Sequence, residues 1–247
     1  MWRRYSATER KMGFLMKLRP PIKGIFFDAG WTLLYPTSKV WWFPKECVDP
    51  SLLDGIPVVK REEAFQRALK YLDDNHLVLT EEDEIAQFRT LYSMISSDLP
   101  ELALTKQKID ALVHAQVSGA YERFYDDALS TLKALHGKYK LGIISDNWPS
   151  LKRRLKSGGV DIYFSTMTIS SCLGTFKPDK RMYLHALEQM KLPPEQTIFI
   201  DDGVENLEGA EKCGIQPVLI TAKPHAESSG KYPSIKKLSE LLELLPK

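Results

Sequence analysis

Five short, unbroken apolar runs punctuate the chain: Gly24–Asp28 (GIFFD), Lys140–Ser145 (KLGIIS), Tyr163–Ile169 (YFSTMTI), Thr197–Asp201 (TIFID) and Gln216–Thr221 (QPVLIT). Continuous β-branched and aromatic character is what a sheet covered on both faces requires, so all five are predicted strands. Amphipathic stretches separate them. Pro149–Lys156 sets Leu151 and Leu155 four apart, and Pro178–Lys191 carries Tyr183, Leu184, Leu187 and Met190 on one stripe, with Pro178 suited to a first helical position. Val204–Cys213 runs up to Gly214, a helix stop, and Leu238–Leu245 forms a last apolar helix. Strands alternating with helices of this length predict βαβ units and a mostly parallel sheet.

Between about Tyr35 and Phe124 the period changes. Arg61–Asn75, Glu81–Leu99 and Thr105–Phe124 all repeat apolar residues at helical spacing, and no strand is expected among them. An all-helical block inserted after the first strand is expected to lie over the carboxyl ends of the strands, the crevice that holds ligands in open α/β sheets. The expected architecture is an α/β, Rossmann-like, doubly wound parallel core with an inserted α-helical cap. Its boundaries are a flexible tail at 1–22, core at 23–34 and 125–247, and cap at 35–124. The tail is basic and has no apolar run of signal-peptide length; Met12 and Met16 are alternative starts.

Composition narrows the class. Of 247 residues 43% are hydrophobic and 27% charged, an ordinary globular balance, and 34 basic against 32 acidic side chains give a formal charge of +2. That balance predicts neither a nucleic-acid nor a membrane partner. Cys47, Cys172 and Cys213 lie far apart, as reduced thiols of a cytoplasmic protein would. The five histidines form no metal pair by spacing and are expected to be structural or on the surface. Lys152, Arg153, Arg154 and Lys156 read as the solvated face of a helix, and Glu81–Glu84 as acids at a positive helix end. Trp41-Trp42-Phe43 is expected to pack against the cap.

The candidate chemistry clusters at strand ends. Asp28 ends the first strand, with Thr32 four residues on; Ser145, Asp146 and Asn147 end the second; Lys177 precedes a helix; Asp201, Asp202 and Asn206 follow the fourth. Each alone is a turn or cap residue, but in a doubly wound sheet these ends converge. Together they suit phosphoryl transfer. Asp28 is a nucleophile that splits one displacement into two. Ser145 is a hydroxyl donor to phosphate oxygens, and Lys177 is a point charge offsetting both nucleophile and phosphoryl group. Converging carboxylates call for a divalent cation, for which Mg²⁺ with oxygen ligands is suited.

These motifs, Asp28-Ala29-Gly30-Trp31-Thr32, Ser145, Lys177 and Asp201-Asp202, resemble in order those of the haloacid dehalogenase-like hydrolase superfamily. The helical block resembles the cap of its subgroup containing dehalogenases and phosphoglycolate phosphatase. The resemblance implies catalytic roles for Asp28 and Lys177, substrate binding by Ser145, Asp146, Asn147 and Thr32, and a Mg²⁺ site from Asp28, the Gly30 carbonyl, Asp201 and Asp202. It implies a small phosphorylated substrate. One departure matters: where family phosphatases carry their acid/base Asp, this chain has Gly30. The lost proton transfer costs about 10²–10⁴ in rate, least for substrates with good leaving groups, and Asp146 or Asp202 are the candidates to replace it. The departure leaves a dehalogenase, a phosphonate hydrolase and a noncatalytic binding protein as alternatives. The family's dehalogenases lack the paired carboxylates kept here, and its phosphonate hydrolases need a cap lysine for which Lys60 and Lys70 have no matching context.

Overall fold

The computed structural model describes residues 18–38, 43–44, 47–49 and 51–245. Trp41 and Trp42 and the first 17 residues of the expected tail lie outside them. Eight strands occur in order among the described residues: β1 (Gly24–Phe27), β2 (Leu34–Pro36), β3 (Glu122–Phe124), β4 (Lys140–Ser145), β5 (Phe164–Ile169), β6 (Thr197–Asp201), β7 (Gln216–Ile220) and β8 (Ser234–Ile235). Six form one sheet in the order β5-β4-β1-β6-β7-β8, every neighbouring pair parallel. All four residues of β1 are buried, as its central position demands. Alternation sends them to opposite faces. Ile25 and Phe27 join Leu132, Leu151 and Leu155 on one face, while Phe26 joins Met182, Tyr183 and Leu207 on the other.

The longer helices are α1 (Val58–Asp74), α2 (Glu81–Asp98), α3 (Lys106–Ser118), α4 (Ala128–Leu135), α5 (Leu151–Ser157), α6 (Lys180–Met190) and α7 (Val204–Lys212). Helices α1 to α3 have a separate apolar cluster that includes Ala64, Leu72, Phe88, Leu91, Leu112 and Val113. No helix among the described residues is long and apolar enough to cross a membrane.

Several expectations need correction. The helix expected over Thr105–Phe124 ends at Ser118, because Gly119 takes the left-handed conformation (φ 69°) and its N–H closes on Ala115 and Gln116. The chain beyond forms β3, paired antiparallel with β2 through Leu34–Phe124 and Pro36–Glu122, so a two-stranded ribbon joins the helical insertion to the sheet. Three residues are too few to show a period, which hid both strands. Pro178 does not open its helix: α6 starts at Lys180, where the Asp179 side chain accepts the Arg181 N–H. Leu184, placed on the buried stripe, is exposed, and Met182 and Ala186 fill that face instead. Residues 18–22, expected with the tail, run along the sheet: Leu18 is buried, and Arg19 exchanges two hydrogen bonds with the Gln216 side chain.

Candidate active site

Register assembles the site. Phe27 pairs with Ile143 of β4 and with Ile200 of β6, so the next positions, Asp28 and Asp201, leave the sheet together, with Ser145 at the end of the neighbouring β4. The Asp28 N–H still donates to Ile200 O at 2.9 Å, holding this residue against β6. From the other direction Lys177, on the segment before α6, inserts its ammonium between the two carboxylates. Its Nζ donates to Asp28 Oδ1 and to Asp201 Oδ2, at 2.7 Å each. All three side chains are buried, Asp201 completely.

Supporting contacts fix this triad. Asp201 Oδ1 accepts the Gly203 N–H (2.7 Å) and the Asn206 amide (3.0 Å), so the first turn of α7 grips the carboxylate. The Tyr183 hydroxyl donates to Asn206 O, anchoring that turn to α6. Asp146 Oδ1 accepts the Lys177 N–H at 2.9 Å and so positions the lysine from its backbone.

Burial without full compensation shapes the charges. Desolvation pushes the Asp28 carboxyl up to about 7, against the attraction of Lys177 and with the repulsion of Asp201. Burial alone would strip the proton from Lys177, but the Asp201, Asp28 and Asp146 carboxylates prevail and hold it protonated. Asp146 and Asp202 are both raised, chiefly by burial, and Asp202 further by Asp201. Burial thus favours the protonated form of the Asp28, Asp146 and Asp202 carboxyls, against the single charge of Lys177.

The other expected residues divide. Ser145 is buried at the end of β4. Thr32 lies in the loop after Asp28, fully buried, with its hydroxyl making no hydrogen bond among the described residues. The Asn147 side chain is engaged within the core: its Oδ1 accepts from Arg154 of α5 and from the Trp148 N–H. A Cβ added to Gly30 would meet nothing nearer than Asp28 Oδ2 at 4.0 Å, so the place of the missing carboxylate is open. Lys60 and Lys70 pair with Glu101 and Asp74 on the exposed surface of the insertion, which removes both as Schiff-base lysines of a phosphonate hydrolase.

Contacts from the insertion went unread in the sequence. Glu84 Oε2 and Oε1 accept the N–H and hydroxyl of Ser150, at 2.9 and 2.7 Å, and the Trp148 indole donates to Gln87 at 2.7 Å. Lys152, Arg153 and Lys156 are exposed, as a solvated face requires, with Arg153 paired to Glu81, whereas Arg154 departs from that face and is buried on Glu122 and Asn147. His76 is buried, bonded to the Ser170 hydroxyl at 2.8 Å and stacked on Phe176, the residue before Lys177. No local pattern announces these pairs; the run of four acids at 81–84 is the one visible trace.

The haloacid dehalogenase-like hydrolase profile matches residues 22–214, and the chain belongs to that family of enzymes. Among curated relatives, the glyceraldehyde 3-phosphate phosphatase of Methanopyrus kandleri is 26% identical over 211 residues, covering 81% of this chain and 84% of that protein. The pyrimidine 5'-nucleotidase YjjG of Escherichia coli is 30% identical over 125 residues; the match takes in 49% of this chain and 56% of that protein's length. Among solved structures, a 2-haloacid dehalogenase from Pseudomonas syringae pv. Tomato DC3000 superposes with a TM-score of 0.65 over 91% of this chain and 98% of its own, at 22% identity, a likeness of fold.

Proposed function

We propose that the chain is a Mg²⁺-dependent phosphatase that acts on a small phosphorylated metabolite through an aspartyl-phosphate at Asp28. One observation carries the reading: a buried lysine shared at 2.7 Å between two strand-end carboxylates, one of which keeps its second oxygen free. Asp28 Oδ2 has no hydrogen-bond partner among the described residues and is the oxygen available for attack. Lys177 steadies the other oxygen and offsets charge on the phosphoryl group, and Ser145 supplies a hydroxyl to it. The helical insertion serves as the cap expected from the sequence, bearing on the strand-end loops through Glu84, Gln87 and His76.

The residues fit a hard divalent cation. Asp28 Oδ2 and the Gly30 carbonyl accept no hydrogen bond among the described residues and the Asp202 carboxylate only one from its own backbone, whereas Asp201 is engaged by Lys177, Gly203 and Asn206. Mg²⁺ needs only one or two carboxylates and keeps several waters, so the absence of a three-residue His, Cys, Asp or Glu cluster among the described residues is no obstacle. When bound it supplies Lewis-acid stabilisation of phosphoryl charge. Asp28, Gly30 and Asp202 would hold it, with Asp201 positioning Lys177 and joining the ligands where the lysine yields an oxygen.

The test is a screen for phosphate and chloride release, with and without Mg²⁺, alongside Asp28→Asn. Metal-dependent phosphate release that this substitution abolishes is the expected result. Chloride release from a 2-haloacid without metal would replace the reading with a dehalogenase.

A further inference from the structure

Trp31 sits three residues beyond the nucleophile in a left-handed conformation (φ 55°), an unfavourable place for a bulky residue. Two backbone bonds hold it there, Trp31 N–H to Leu34 O at 2.6 Å and Leu34 N–H to Ala29 O at 3.0 Å. Its half-exposed ring lies under the ammonium of Lys223, 5.5 Å from Nζ to the centroid. Lys223 comes from the irregular segment 221–233 between β7 and β8, and it joins no salt bridge among the described residues. Long irregular segments of this kind in compact domains are commonly binding loops. Leu219 of β7 pairs with Asp201, so this segment leaves the sheet at the same edge as the carboxylates. The charge of Lys223 reaches Asp202, where it opposes the upward push of burial.

Two facts then meet. Gly30 provides no acid, which favours departing groups that are stable as anions; and an exposed cation that joins no salt bridge among the described residues is held beside the same loop. We infer that Trp31 and Lys223 form a leaving-group subsite that selects phosphoanhydrides, inorganic pyrophosphate being the simplest. The inference rests on the reading of Asp28 as a phosphoryl nucleophile. Asp28 attacks one phosphorus, and the bond from that phosphorus to the bridging oxygen breaks. Its electron pair departs with the second phosphate, whose charge Lys223 offsets. Water then attacks the aspartyl-phosphate, the oxygen–phosphorus bond breaks with its pair returning to Asp28, and the proton from water passes to phosphate or solvent.

The test compares kcat/KM for pyrophosphate and for p-nitrophenyl phosphate, with Mg²⁺, in the wild type, Lys223→Ala and Lys223→Arg. Neither substrate needs an acid, but only pyrophosphate carries a second anion. Loss of one charge-assisted contact lowers the pyrophosphate-to-nitrophenyl ratio about tenfold in Lys223→Ala, with recovery in Lys223→Arg. Equal losses on both substrates, no loss, or a wild type that cleaves only p-nitrophenyl phosphate would overturn the subsite. Should the wild type cleave neither, the phosphoryl reading fails, and calorimetric titration with magnesium pyrophosphate decides the subsite alone. Binding about tenfold weaker in Lys223→Ala sustains it; unchanged or absent binding ends it.

Discussion

On the proposed reading, Gly30 limits how far the chemistry at Asp28 can reach. It has a negative φ and open space on its Cβ side, so Gly30→Asp is accommodated without backbone strain. The new carboxyl stands where a proton can be passed to a departing alkoxide. Alkyl phosphate turnover should rise about 10²-fold or more, with a smaller gain on p-nitrophenyl phosphate, whose leaving group needs no proton. A steady-state comparison of the two substrates checks this; equal gains would mean the substitution acts through something other than acid catalysis. Lys177 is the other residue on which the site depends. Its removal leaves Asp28 and Asp201 buried without a cation, and breaking a buried pair from one side costs about 3–5 kcal/mol. The sign with pH follows from Asp28, whose folded value of about 7 lies above its ordinary 3.8. Without the lysine it rises further, so the penalty is largest above about 7, where only the wild-type Asp28 is ionised in the folded state, and shrinks as pH falls through that value. Urea unfolding of Lys177→Met against the wild type at pH 7.5 and pH 5 should show the smaller difference at pH 5.

Between elements, the contact that matters most is α2 on the start of α5. Ser150 opens α5 with no side-chain cap of its own, and Glu84 supplies the acceptor from another part of the chain. Glu84→Ala would leave a buried N–H and hydroxyl unpaired, a loss of about 2–4 kcal/mol for the two groups. Urea denaturation at neutral pH measures it, and a loss under 1 kcal/mol would show that water replaces the carboxylate. This contact also shows where reading the sequence stops. The strands carrying Asp28, Ser145 and Asp201 are legible because a buried parallel strand is an apolar run and its last residue announces itself. The order of the candidate residues is legible for the same local reason, as is the room left by Gly30. Glu84 and Ser150 are 66 positions apart, and His76 and Ser170 are 94 apart, so neither pair leaves a periodic trace. Arg154 misleads for a related reason: its neighbours make the helix look like a solvated face, whereas its partner Glu122 lies across the ribbon that a three-residue pattern conceals.

At the scale of the whole molecule, the segment after α1 lies along the core segment that leads to Lys177. The Val78 N–H donates to Ser171 O, His76 bonds Ser170, and the His76 ring stacks on Phe176 with its centroid 3.6 Å away. Trp148 meets the same imidazole edge-on, and burial lowers it to about 4. A histidine held neutral in this way makes docking of the insertion sensitive to acid. Its folded value lies below the ordinary 6.5, so the unfolded chain takes up a proton first. The stability of the neutral form is complete above pH 6.5 and is lost as pH falls from there toward 4. His76→Gln removes the titrating ring and the stack, so it should be less stable than the wild type at pH 7.5 but show a shallower decline across that window. Urea midpoints at half-unit pH intervals for both proteins test the claim, since carboxylates elsewhere contribute equally to each. Parallel curves would place the acid sensitivity elsewhere. A converging pair would tie it to the one imidazole shared by the helical insertion and the segment that carries Lys177.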